Sequence, residues 1–122
     1  MSTAVAAVEG AREAAVARVV AYIAEHPADP HTLQDLAELA AMNKRTFAQI
    51  FCALMGMGPT SYIRAMRVGY AKRLLDETDL PVAQVMRLSG FPNSDTGRRA
   101  FLQIEQITPM RYRDQAQALA ED

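Results

Sequence analysis

The sequence predicts an all-α protein made of two short helical units joined by a long helix, and three observations carry that prediction. One pattern occurs twice, as LQDLAELAAMNKRTFAQIF over residues 33–51 and as VAQVMRLSGFPNSDTGRRAF over residues 82–101. Between the copies, PTSYIRAMRVGYAKRLLDET over residues 59–78 reads as one uninterrupted helix. Half of the 122 residues are hydrophobic, yet no run approaches the ~20 apolar residues of a membrane span.

Taken in order, the Ala-rich start over residues 3–24 is interrupted by Glu9, Arg12, Glu13 and Arg18. It therefore reads as an amphipathic helix with Val16, Val19, Val20 and Ile23 inward, not as a targeting signal. Residues 1–11 read as a linker or frayed N-terminus and residues 12–57 as a first subdomain. In the first copy Leu33, Leu36 and Ala37 share one helical face, and Phe47, Ile50 and Phe51 answer them at helical spacing. Counting from Ala37, the turn falls at Ala41. Counting from Met86 in the second copy, the turn falls at Gly90 and the inward positions at Gly97, Ala100 and Phe101, with one extra residue in the turn.

The middle helix, assigned with its flanks to residues 58–79, opens on Pro59, whose missing N–H is no loss in a first helical turn. Ile63, Met66, Tyr70 and Leu74 recur on one stripe, with Leu75 beside them, and acidic residues and Pro81 end it. About 19 residues make a rod of roughly 28 Å. Residues 80–122 form the second subdomain and a C-terminal helix. Asn93 is placed to cap the second copy's later helix, and Thr108, followed by Pro109, to cap the last one.

Two short helices that cross steeply need small residues at the crossing and apolar ones inside, which is what a helix-turn-helix supplies. The outer face of the second helix is then free for the major groove of DNA. Two such units on a rod could reach groove segments about one helical turn, roughly 34 Å, apart.

The formal net charge of −1 runs against a DNA partner until it is divided along the chain. Residues 32–113 hold eleven of the thirteen Lys and Arg but seven acids, a net of +4; residues 1–31 carry −2 and residues 114–122 carry −3. A single cysteine excludes an internal disulfide and suits a reducing cytoplasm. Cys52, beside Phe51, is expected in the core. His26 and His31 are the only histidines and flank a Pro-containing loop, too few ligands for a metal site. No Gly-rich phosphate loop is present, so neither an enzyme nor a cofactor is expected.

The sequence resembles the DNA-binding domain of the AraC/XylS family of bacterial transcriptional regulators over about residues 17–113. The resemblance rests on LQDLAELA, the RTF–IF helix, AMRVGYAKRLLDETDLPV, the SGF turn, RRAF and the closing ITPMRYR. GFPNSDTGRRAF looks most like the subgroup in which this domain follows an amidase-like domain. The resemblance implies a seven-helix, all-α fold of two helix-turn-helix subdomains. It implies sequence-specific binding to double-stranded DNA and usually activation of transcription through RNA polymerase. No segment here can form a separate sensor or dimerisation domain, so the chain reads as either a short stand-alone regulator or the output domain of a longer protein, and the linker-like residues 1–11 lean towards the latter. No membrane partner is expected. The rival reading is a domain that has lost docking by its second unit and acts through protein contacts.

With Phe47, Ile50 and Phe51 inward, Arg45, Ala48 and Gln49 are left on the groove side of the first recognition helix. Arg45 suits guanine O6/N7 and Gln49 adenine N6/N7, and these positions match the family's base-contacting ones. The matching positions in the second helix are Ser94, Asp95, Arg98 and Arg99. Asp95 has two readings, acceptance from a cytosine amine or a favourable place in the first helical turn. Lys44, Arg64, Arg67 and Arg111 are phosphate candidates, Arg67 being equally suited to a salt bridge on the middle helix. The second copy departs from the family where a small residue is replaced by Met86 and an apolar one by Gly97. Met86 is expected to fill the volume that Gly97 vacates. A mid-helix glycine costs about 1 kcal/mol relative to alanine, and Gln106 stands where a glycine is usual. The second unit is therefore expected to be the looser.

Overall fold

The computed structural model describes residues 3–121, which form seven helices and no strand. These are α1 (Thr3–Glu25), α2 (Leu33–Leu39), α3 (Lys44–Met55), α4 (Pro59–Glu77), α5 (Val82–Leu88), α6 (Ser94–Glu105) and α7 (Pro109–Glu121). They divide into two compact units, one of residues 1–26 and 30–63, the other of residues 27–29 and 64–122. The boundary falls inside α4, whose first turn belongs to the first unit. α1 begins at Thr3, within the stretch read as a linker, and residues 7–14 are exposed. Residues 1, 2 and 122 lie outside the described residues.

In the first unit α3 packs on α1 and α2. Val16, Val19 and Ile23 of α1, Leu36, Ala37 and Ala40 in and just after α2, and Phe47 and Phe51 of α3 are all buried. Val20, expected inward with them, is only partly buried. Leu33 was also expected on the inner face but is 38% exposed. It is the first residue of α2, so its side chain lies beyond the crossing that buries Leu36 and Ala37. Ile50 is half-buried. Thr32 caps α2 by accepting from the Asp35 N–H at 3.1 Å, and Asn43 caps α3 by accepting from Thr46 at 2.8 Å. Gly56 ends α3 at φ 73° and donates its N–H to the Cys52 carbonyl at 2.9 Å, the left-handed stop that glycine allows at low cost. Cys52 itself is exposed. The interior side of α3 is taken by Phe47 and Phe51, and the residue after Phe51 is turned about 100° away.

The second unit repeats the first almost element for element. α5 and α6 have the lengths of α2 and α3, 7 and 12 residues. Five residues, 89–93, separate α5 from α6 where four, 40–43, separate α2 from α3, so the extra turn residue is present. Val68, Ala71 and Leu75 of α4 occupy the spacing of Val16, Val19 and Ile23, and pack on Val85, Met86, Ala100 and Phe101. Phe101 meets Tyr112 edge-on at 5.6 Å, as Phe51 meets Tyr62 at 5.5 Å. The buried stripe of α4 differs from the one expected. Met66 and Tyr70 are only partly buried, while Val68 and Ala71 are at 1% and 0% exposure. Apolar residues surround much of this helix, so periodicity alone could not select the stripe that α5 and α6 cover. Asn93 and Thr108 cap α6 and α7 as expected, accepting from Thr96 at 2.8 Å and Arg111 at 3.2 Å.

Candidate nucleic-acid interface

Each unit presents the outer side of its second long helix, because the inner side is spent on the core. On α3, burial of Phe47 and Phe51 leaves Arg45 and Gln49 exposed, with Ala48 half-exposed between them and Lys44 exposed at the helix start. These four share a contiguous surface, since positions one turn apart stack on one face. No ion pair restrains Lys44 or Arg45 among the described residues.

On α6, Gly97, Ala100 and Phe101 are buried, while Asp95, Arg98 and Arg99 are exposed and Ser94 half-exposed. Arg98 Nη1 lies 3.5 Å from Asp95 Oδ1, a surface pair at i,i+3 of the kind that contributes little to stability. Arg99 has no such partner among the described residues. α6 ends at Gln106, which adopts φ 67° in the place that Gly56 holds on α3, and donates its N–H to the Leu102 carbonyl at 2.9 Å. A non-glycine residue is uncommon in this conformation.

The four phosphate candidates part company. Arg111 is exposed on the first turn of α7. Arg64 is half-exposed and donates through Nη2 to Gln103 Oε1 on α6. Arg67 is committed elsewhere. Its Nε donates to the Pro27 carbonyl at 3.0 Å and its Nη2 to the Asp29 carbonyl at 2.9 Å. Burial lowers its pKa below the ordinary arginine value. In that geometry two of the five guanidinium N–H groups brace the 27–29 segment, and no salt bridge joins Arg67 to an acid among the described residues. A residue that sequence reasoning missed does similar work. Arg113 donates to the carbonyls of Leu75, Leu80 and Thr78 at 3.2, 2.7 and 3.2 Å, closing the C-terminal end of α4, where unpaired carbonyls accumulate. Its place in MRYR was the one available signal.

Both histidines lie against backbone carbonyls. His26 Nδ1 lies 3.1 Å from the Tyr22 carbonyl and His31 Nε2 2.7 Å from the His26 carbonyl. Both rings stand against Tyr22, at 4.6 and 5.7 Å between centroids. Among the described residues no cluster of metal-ligating side chains occurs, and no helix is long and apolar enough to cross a membrane.

Comparison with known proteins agrees with this architecture. A family model described as a helix-turn-helix domain matches residues 36–115. The HTH-type transcriptional regulator Rv1931c of Mycobacterium tuberculosis is 35% identical over 83 residues, 68% of this chain and 32% of the relative. The melibiose operon regulatory protein of Escherichia coli is 28% identical over 102 residues, 84% of this chain and 34% of the relative. The chain thus spans about a third of the length of such relatives. Among solved structures, the DNA-binding domain of AdpA, a global transcriptional factor in complex with a target DNA, is similar at a TM-score of 0.81. Its sequence identity is 33%, covering 85% of this chain and 94% of that one. An AraC-type regulator from Chromobacterium violaceum shares the fold at a TM-score of 0.77 and 22% identity. With two helix-turn-helix units and a family match over most of its length, the chain belongs to the AraC family of transcriptional regulators, as the DNA-binding-domain part of that family.

Proposed function

We propose that the chain binds duplex DNA sequence-specifically, seating α3 in one major-groove segment and α6 in a neighbouring one, and so regulates transcription. One observation carries the reading: the outer face of α3 bears Arg45 and Gln49, both exposed and Arg45 without an ion pair among the described residues, on a helix whose inner face is used by Phe47 and Phe51. These two side chains are the types that bond guanine and adenine edges bidentately. The 33%-identical AdpA domain, solved on its target DNA, supports the same reading. Ser94, Asp95, Arg98 and Arg99 form the docking face of α6, and Lys44, Arg64 and Arg111 meet phosphates. Arg67 is left out because two of its N–H groups already serve the Pro27 and Asp29 carbonyls.

The family is one of regulators, not of enzymes. RNA polymerase as partner, an activating role, a cytoplasmic setting and a sensor or dimerisation domain in a longer protein extend this proposal, since the chain spans only about a third of its curated relatives. A second reading has α6 idle and the chain gripping another protein; the Asp95–Arg98 pair, an acid on the docking face, favours it. Footprinting on selected duplexes separates the two. Protection over two successive groove segments supports docking by both units, protection of about 5 base pairs supports α3 alone, and no binding at low salt overturns the proposal.

A further inference from the structure

A concavity in the second unit is lined by Arg64 of α4 and by Thr96, Arg99, Leu102, Gln103 and Gln106 of α6 and its C-cap. Thr96, Arg99 and Gln103 recur at i, i+3 and i+7, so they form one flank of α6, and Arg64 faces that flank from α4. Two guanidinium groups therefore border one hollow. The acids nearby are engaged elsewhere: Glu105 pairs with Lys72 at 2.9 Å and Asp95 with Arg98 at 3.5 Å. Among the described residues, no carboxylate pairs with Arg64 or Arg99.

The partner that Arg64 does have is a neutral amide. Gln103 Oε1 accepts from Arg64 Nη2, and the Gln103 backbone carbonyl accepts from the Gln106 side chain at 2.8 Å. An amide at this place orients a guanidinium without cancelling its charge, whereas a carboxylate would do both. We propose that this hollow is a seat for a single backbone phosphate of duplex DNA, bound by Arg64 and the Thr96 hydroxyl, with Gln103 as the positioning residue of Arg64. The inference rests on the DNA-docking reading and assigns one contact within it. Arg64 and Gln103 contribute affinity that is blind to base sequence, and Gln103 acts through Arg64.

The test measures binding of the whole chain to a selected duplex and to random-sequence duplexes of roughly 30 base pairs, about three helical turns, across a salt series. Arg64→Ala should weaken both duplexes alike and reduce the salt slope by about 1. Gln103→Ala should weaken binding about three- to ten-fold with the slope retained, because the charge stays but must be ordered on docking. Gln103→Glu should lower the slope by about 1, as Arg64→Ala does, because the new carboxylate neutralises the arginine. In an Arg64→Ala background, Gln103→Ala should have no further effect. Thermal melts confirm that each variant is folded. An unchanged slope in folded Arg64→Ala, or an undiminished Gln103→Ala effect in that background, overturns the seat while leaving the DNA reading standing. Absence of salt-dependent binding by the unaltered chain overturns both.

Discussion

Met86 occupies the space in which a side chain at residue 97 would stand. A Cβ built on Gly97 would lie 2.8 Å from both the Cβ and the Sδ of Met86, which is fully buried. In the first unit the corresponding pair is Ala37 and Phe47, a small residue facing a large one. The second unit has exchanged the two sizes across the same crossing, and its volume is supplied from α5 instead of α6.

Coupled stability at this crossing is the first expectation. Met86→Ala alone opens a cavity costing about 2–5 kcal/mol, and Gly97→Leu alone overpacks at about 1–3 kcal/mol or more. The double variant should be at least as stable as the parent, since it restores the arrangement of the first unit and removes a mid-helix glycine worth about 1 kcal/mol. Denaturant melts of the four proteins decide it. Additivity within about 0.5 kcal/mol would mean that the two sites are independent.

Equivalent positions in the two turns should respond with opposite signs. Ala41 sits at φ 57° and Gly90 at φ 99°. Ala41→Gly relieves a left-handed alanine and should stabilise by about 0.5–1 kcal/mol after the entropy of the added glycine is counted. Gly90→Ala introduces the same strain, and its Cβ would meet the Ala28 backbone at 2.8 Å and Arg67 Nε at 2.8 Å. A loss of at least about 2 kcal/mol is expected from strain and overpacking together. Melting temperatures that move in the same direction for both variants would contradict the account.

Two arginines should prove structural rather than electrostatic partners of DNA. Arg113→Met strands three carbonyls at the end of α4 and should cost about 2–3 kcal/mol. Arg113→Lys should recover little of that, because an ammonium cannot reproduce the planar fork. Arg67→Met releases the Pro27 and Asp29 carbonyls and should lower stability by about 1–3 kcal/mol. The salt slope of DNA binding by folded Arg67→Met should match that of the parent. A slope reduced by about 1 would return Arg67 to the phosphate contacts.

Base reading by α3 predicts a split among three neighbours. Arg45→Ala and Gln49→Ala should each cost about 1–3 kcal/mol on the preferred duplex and relax base preference there. Lys44→Ala should weaken all duplexes alike. Selection from random duplexes with each variant is the check. If Lys44→Ala changed the selected motif and Arg45→Ala did not, the outer face of α3 would have been assigned wrongly.

Much of this protein is written in local chemistry, which is why the helices were legible. Asn93, Thr108 and Pro109 mark helix starts through hydrogen bonds or geometry made within a turn of themselves, and Pro59 does the same for α4. The repeat of LQDLAELA…RTF–IF as VAQVMRLSGF…RRAF fixed both helix-turn-helix units, and Met86 could be set against Gly97 because a duplicated pattern carries its own reference. The exposure of Arg45 and Gln49 followed from Phe47 and Phe51, since one turn of helix relates them. Tertiary packing decided the rest. Whether α4 buries Met66 and Tyr70 or Val68 and Ala71 depends on which side α5 and α6 cover. The fate of Arg67 depends on carbonyls 38 and 40 residues away, and that of Arg113 on carbonyls 33 to 38 residues away. Leu33 and Cys52 look like core residues by type, yet each lies just outside a helix crossing and is left in solvent. A hydrophobic or cationic side chain specifies what it can bind, and only the closed chain determines which partner comes within reach.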